Sequence, residues 1–169
     1  TTAKDEKGRP TVVSLFLKEY EKKFPGKSVP HIAPVGRLDA ASEGLLLFTN
    51  DTEWANRIME SSQEKTAVIK NPAGKKHLKI YRVQISGKPS GQDLQKMVEG
   101  FNVAPRVFGE SEEFMHAVSA KIHSEGEKNC WLEIVLDEGK NREIRRMLSH
   151  LGYEVKRLVR IQIDNFQLG

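Results

Sequence analysis

The 169-residue sequence contains only one cysteine, Cys130. A single cysteine cannot form an internal disulfide, so the sequence favours a reducing setting, and we predict a cytoplasmic protein. The five histidines lack the spacing of metal ligands, and we therefore expect no metal site. They are His31, His77, His116, His123 and His150.

Long hydrophobic runs are also missing. No apolar stretch approaches the roughly 18 residues needed to cross a bilayer, and residues 1–9 are polar and charged rather than a signal peptide. With 38% hydrophobic and 30% charged residues, the composition predicts a soluble globular protein with no membrane partner. The length fits one domain, or two small lobes around one core.

The positive charge is concentrated in one segment. Residues 140–160 contain seven basic and two acidic side chains, a net charge of +5, whereas the whole chain carries +4. The rest of the chain therefore sums to −1. Such a patch suits a polyanionic partner, although a basic run is also typical of a solvated helix face.

Hydrophobic periodicity predicts a mixture of helices and strands without a regular βαβ alternation, which indicates an α+β fold with a largely antiparallel sheet. We expect helices to start at Thr11, Asp51, Ser90 and Asn141 and strands at 31–35, 44–49, 78–85, 114–122, 130–136 and 155–163. Because residues 1–9 have no strand pattern, the first strand of the sheet is expected upstream of this sequence.

The segment GRLDAASEGLLLFTND, residues 36–51, places a carboxylate, Asp39, just before an apolar run. One interpretation is structural, because Asp is a favoured N-cap and Ala40-Ala41-Ser42 could form one helical turn. The other is chemical, because a nucleophilic carboxylate must be held rigidly, kept ionised and face a pocket. The following strand would supply rigidity and a nearby cation would supply ionisation.

The segment EGKNREIRRMLSHLG, residues 138–152, contains candidate cations. At about 100° per residue its apolar side chains form one stripe, with Arg145 at the edge and Arg142 and Arg146 pointing away. An edge arginine can bury its stem and present its guanidinium to a cleft, whereas the outward pair suits solvent or phosphate. The stripe consists of Ile144, Met147, Leu148 and Leu151.

Three stretches in this order resemble the motifs of the pseudouridine synthases, in particular the branch that acts on ribosomal RNA. The first is residues 36–51, the second is Lys79-Ile80-Tyr81-Arg82-Val83, and the third is EGKNREIRRML at 138–148. Segments 4–12 and 155–169 are also similar to the family. The sequence departs from many relatives at Thr52, where they have glycine. It is identified as a catalytic domain, residues 1–169, without the family's N-terminal RNA-binding module.

The resemblance implies a bent mixed sheet, largely antiparallel, with flanking helices and a central catalytic cleft. It also implies a reaction, in which uracil is detached at N1, turned and rejoined through C5. Substrate and product are isomers, so no cofactor is expected. The expected partner is RNA, either ribosomal RNA or a ribosomal assembly intermediate, and the expected state is a monomer.

The family's functional residues transfer to particular positions. The resemblance implies that Asp39 attacks the nucleotide, that Tyr81 packs against the base and handles the C5 proton, and that Arg145 forms an ion pair with Asp39. The expected contacts with the base or with RNA are Lys140, Arg142, Arg146 and Leu158. Arg37 is expected either to contact an RNA phosphate or to hold the turn.

Two alternatives belong to other classes of protein. A catalytically inactive RNA-binding domain of the same fold would keep the basic helix but would not need both Asp39 and Tyr81. A glycoside-cleaving hydrolase would need a second carboxylate as acid or base, and Glu43 is the nearest in sequence.

Overall fold

The computed structural model describes residues 10–60, 77–105 and 111–169. Its helices are α1 (Val12–Lys23), α2 (Thr52–Glu60), α3 (Gly91–Glu99) and α4 (Glu143–His150). Its strands are β1 (Ala33–Val35), β2 (Glu43–Gly44), β3 (Leu47–Thr49), β4 (Lys79–Ser86), β5 (Phe101–Val103), β6 (Glu113–Met115), β7 (Ser119–Glu125), β8 (Asn129–Leu136), β9 (Val155–Ile163) and β10 (Phe166–Gln167).

The main sheet has six strands, in the order β10-β9-β4-β8-β7, with β2 added alongside β9. The pairs along this order are antiparallel, and the β2–β9 pair is parallel. Two further antiparallel pairs, β1–β3 and β5–β6, complete the sheets of the described residues. The predicted α+β class with a mixed, largely antiparallel sheet is thereby confirmed.

The larger core lies between the sheet and α4. Strands β4 and β8 bury every second residue, because alternate side chains of a strand point to opposite faces. Against them α4 packs its apolar stripe, in which Ile144, Met147 and Leu148 are buried. A smaller cluster of four buried residues joins β1, α2 and the end of β9. It contains Val35, Ala55, Ile58 and Ile163.

The predicted helix starts are confirmed at three places by side-chain caps. Thr11 accepts a hydrogen bond from Ser14 N at 3.1 Å, Asp51 accepts one from Trp54 N at 2.9 Å, and Ser90 forms a capping box with Asp93. The strand predicted at 155–163 matches β9. Among the described residues no helix is both long and apolar enough to span a membrane.

Three expectations are wrong. The strand predicted at 44–49 is divided into β2 and β3, which pair with different partners, and the strand predicted at 114–122 is divided into β6 and β7. Asn141 does not cap α4, since the cap position belongs to Arg142, whose backbone is left-handed with φ 51°. The expectation of a missing first strand, based on residues 1–9, lies outside the described residues.

Candidate active site

Asp39 lies in the loop between β1 and β2, at the wall of a cleft formed by the described residues. Its main-chain carbonyl oxygen accepts a hydrogen bond from Ser42 N at 2.9 Å, which closes a turn over residues 39–42. The carboxylate itself caps no helix in the described residues, so the N-cap interpretation is wrong. Its side chain is 37% exposed, and its Oδ2 atom lies 4.0 Å from Nη1 of Arg142.

The Asp39 loop is attached to β9 by both main-chain and side-chain bonds. Leu45 N donates to the Arg160 carbonyl oxygen at 2.8 Å, and Arg160 Nε donates back to the Leu45 carbonyl oxygen at 2.8 Å. Gly44 makes this approach possible, because its φ is +103° and a Cβ atom there would overlap the Arg160 carbonyl oxygen. Gly44 therefore allows the Asp39 loop to pack against β9.

The cleft has a volume of about 820 Å³, a size typical of ligand pockets. The structure brings most of the predicted site residues to its wall, although they lie far apart in sequence. Those that line it are Arg37, Asp39, Tyr81, Lys140, Arg142, Arg145 and Leu158. Arg146 does not line this cleft, and neither does Glu43, whose carboxylate is held by Arg157 through two bonds of 2.9 Å.

Tyr81 occupies the floor of the cleft, in the middle strands of the sheet. It lies on β4 opposite Ile134 of β8 and Arg160 of β9, and it is only 9% exposed. Burial raises the pKa of its phenol, and the Arg160 guanidinium opposes that shift. Leu158, two residues before Arg160 on β9, is buried at the same wall.

The two arginines around Asp39 are not arranged as the helical wheel predicted. Arg142 is within ion-pair distance of Asp39, whereas Arg145 donates to the carbonyl oxygens of Ala41 and Val155. The wheel is wrong for Arg142 because this residue precedes the helix and has a left-handed backbone. Burial lowers the pKa of Arg145, as does the charge of Arg142, while Asp39 opposes both effects.

The outward orientation predicted for Arg146 is also wrong. Its side chain is 12% exposed, Nη1 lies 2.5 Å from Glu113 Oε2, and Nη2 donates to the Ala104 carbonyl oxygen at 3.2 Å. Lys140 is similarly engaged, by Glu138 and by the Phe114 carbonyl oxygen at 2.9 Å. Much of the basic charge near α4 is therefore neutralised within the protein.

Three buried ionisable residues of the cleft wall were not predicted: Lys79, Glu143 and Arg160. Alternation could have identified two of them, because Lys79 shares a strand face with Tyr81 and Arg160 shares one with Leu158. Glu143 is 3% exposed, and burial together with Glu138 raises its pKa to about 9. Burial and the charge of Arg160 lower the pKa of Lys79.

A comparison with protein families defines the class of this fold and site. The model of the RNA pseudouridylate synthase family matches residues 11–150. The chain therefore belongs to the RNA pseudouridylate synthase family, as the three motifs indicated.

Individual relatives agree with this assignment. The chain is 32% identical over 169 residues to an uncharacterized RNA pseudouridine synthase of Rickettsia conorii, with 99% of the chain and 60% of the relative covered. It is 31% identical over 163 residues to ribosomal large subunit pseudouridine synthase B of Bacillus subtilis, with coverage of 95% and 55%. The chain thus spans about 60% or less of these relatives' length.

A solved structure shows the same architecture. A crystal structure of a pseudouridylate synthase superposes with a TM-score of 0.59 at 27% identity, and the match covers 82% of this chain and 51% of the other. The fold expected from the resemblance therefore has a counterpart among solved structures.

Proposed function

We propose that this chain is the catalytic part of an enzyme that isomerises uridine in RNA to pseudouridine, with Asp39 as the nucleophile. The observation that carries the proposal is that Asp39 and Tyr81 line the same cleft. Arg142 and Arg145 line it too. An inactive RNA-binding domain would not need this combination. A glycoside-cleaving site that used Glu43 does not fit, since Glu43 lies outside the cleft.

The geometry suits each step of the reaction. The target uridine must leave its stack to enter the cleft, because its reacting atoms are inaccessible inside a helix. Arg142 lies within ion-pair distance of Asp39 and can orient the carboxylate that attacks. Asp39 forms a bond to the nucleotide as the N1 bond of the base breaks, and the bond to Asp39 breaks again when the base rejoins through C5. The C5 proton leaves and N1 gains a proton. Atoms balance without a cofactor.

We further propose ribosomal RNA as the substrate. The relative from Bacillus subtilis, named for the large ribosomal subunit, supports this proposal. Arg37 is exposed at the cleft and is the arginine that we assign to an RNA phosphate. A cytoplasmic location agrees with such a substrate and with the free thiol of Cys130.

The decisive experiment compares the wild-type protein with Asp39→Asn, using ribosomal RNA and analysis of its nucleosides. The amide is nearly isosteric but lacks the charge, so we expect pseudouridine formation to fall by many orders of magnitude while RNA binding survives. Substantial turnover by Asp39→Asn would refute the assignment. Free uracil from the wild-type protein would indicate a glycoside hydrolase, and the absence of any product would indicate an inactive binding domain.

A further inference from the structure

We propose that Arg160 is a positioning residue that couples the Asp39 loop to Tyr81: one buried guanidinium holds the main chain of the loop and also presents a fixed positive charge to the phenol. This inference deepens the proposed function and rests on it. It assigns a role to a residue that none of the three sequence motifs contains.

The first half of the coupling is a pair of hydrogen bonds to the loop. Arg160 Nε donates to the Leu45 carbonyl oxygen at 2.8 Å, and Nη1 donates to the Arg37 carbonyl oxygen at 3.4 Å. These two acceptors stand on either side of Asp39 in sequence. A guanidinium has several N–H donors in a rigid plane, so it can hold two such points at a fixed separation, as a lysine ammonium cannot.

The second half is the placement of Arg160 next to Tyr81. The two residues are directly paired in the β4–β9 register, so their side chains share one face of the sheet. Five effects act on the pKa of the phenol. Burial raises it most strongly, the charge of Arg160 from β9 and its hydrogen bond to the phenol lower it, and the charges of Glu143 from α4 and Asp39 from the loop raise it.

The charge of Arg160 has no carboxylate partner among the described residues. The residue is only 5% exposed, and its Nη2 atom is buried without a hydrogen-bond partner there. A buried cation without a carboxylate partner is costly, so its position requires an explanation. The phenol of Tyr81 keeps its proton in the free protein because burial raises its pKa, and Arg160 beside it lowers the cost of forming the phenolate that accepts a proton.

The chemistry follows from that state. The Tyr81 phenolate takes the proton from C5 of the rejoined base, and the electrons of the C5–H bond restore the ring. Tyr81 becomes a neutral phenol and later releases this proton to solvent. Arg160 stabilises the phenolate before the transfer without touching the base.

The experiment measures the ionisation of Tyr81 without RNA, so it does not depend on catalytic activity. The chain has three tyrosines, and subtracting the ultraviolet titration of Tyr81→Phe isolates the signal of Tyr81. For Arg160→Gln we expect the onset of this titration to move up by about one pH unit or more, as loss of a neighbouring charge predicts. Arg157→Gln, on the same strand but exposed, should leave it unchanged.

A second variant separates the charge from the hydrogen bonds. Arg160→Lys keeps the charge, so Tyr81 should titrate nearly as in the wild type. It cannot hold both carbonyl groups, so the single-turnover rate should fall at least tenfold. An unchanged Tyr81 titration in Arg160→Gln, or a normal rate in Arg160→Lys, would overturn the proposal. Because the titration needs no RNA, its outcome is distinct from failure of the proposed isomerase activity.

Discussion

The two sides of the cleft are built in different ways. Tyr81 and Leu158 stand on the central strands of the six-stranded sheet and belong to the larger core, where several side chains are fully buried. Asp39 stands on a loop whose nearest core is the smaller cluster around Val35 and Ile58. The floor of the site is therefore held by packing, whereas the Asp39 loop is held by hydrogen bonds from β9 and from Arg145 of α4.

This difference separates stability from activity. Damage to the larger core should unfold the protein, whereas damage to the connection between loop and β9 should leave a folded protein with a displaced Asp39. In the proposed enzyme, such a site would place the base-binding surface on a fixed wall and let an RNA nucleotide enter beside the loop.

The largest loss of stability is expected from Leu132→Ala, in the middle of β8. Leu132 is fully buried, and truncation of such a side chain costs about 2–5 kcal/mol in unfolding free energy because a cavity remains. Ile58→Ala, in the smaller cluster, should fall at the lower end of that range because its surroundings can relax. Urea denaturation of both variants gives the comparison, and equal losses would contradict the distinction between the two cores.

A smaller loss of stability but a large loss of activity is expected from Gly44→Ala. The added methyl group would overlap the Arg160 carbonyl oxygen, and relief of such overpacking costs about 1–3 kcal/mol. Single-turnover rates should fall at least a hundredfold because the Asp39 loop is displaced. Gly26→Ala is the matched control, since Gly26 also has a positive φ, +74°, but open space around it. A similar rate loss in both variants would show that backbone strain alone is responsible.

Glu143→Gln should change how stability depends on pH. The pKa of Glu143 is raised from 4.5 to about 9, so between these values the folded protein holds a proton that the unfolded chain has lost. Its contribution to stability therefore falls as pH rises through that window, by up to about 1.4 kcal/mol per unit for one proton. Glu138, whose pKa is lowered, has the opposite effect at lower pH.

A glutamine at position 143 can still accept the hydrogen bond from Lys140 N that Glu143 Oε2 accepts at 3.1 Å. Its amide can also donate a hydrogen bond to Glu138. Denaturation at about pH 6, 7 and 8 measures how stability declines as pH rises, and this decline should be shallower in Glu143→Gln than in the wild type. The exposed Glu127→Gln serves as the control. A decline as steep as that of the wild type would mean that Glu143 is ionised in the folded protein.

The smallest expected effect concerns RNA affinity. Arg37 is exposed at the cleft, so Arg37→Ala should remove one phosphate contact and flatten the log–log salt dependence of binding by about 0.7 to 0.9. Arg146→Ala should leave that slope unchanged, because Glu113 already engages this guanidinium. Titrations at several salt concentrations test both, and the reverse result would show that the Arg146–Glu113 pair opens when RNA binds.

Local patterns in the sequence were sufficient to predict the structural features that depend on residues close together in the chain. Alternation placed Tyr81 inside the sheet, capping residues located the starts of α1, α2 and α3, and the bounds of β9 were predicted correctly. Features that depend on distant partners could not be predicted. The ion pair of Arg146 joins residues 33 positions apart, and the left-handed backbone of Arg142 contradicts the helical geometry on which the wheel relies.

The parallel pairing of β2 with β9 has a consequence for how the protein folds. The Arg160–Leu45 hydrogen bond closes a loop of 115 residues, and contacts this distant in sequence form late because closing the loop costs entropy first. During synthesis the segment with Asp39 leaves the ribosome well before its partner strand does. Asp39, the proposed nucleophile, is therefore seated only after β9 has been made, and before that the chain holds Asp39 without the support of β9.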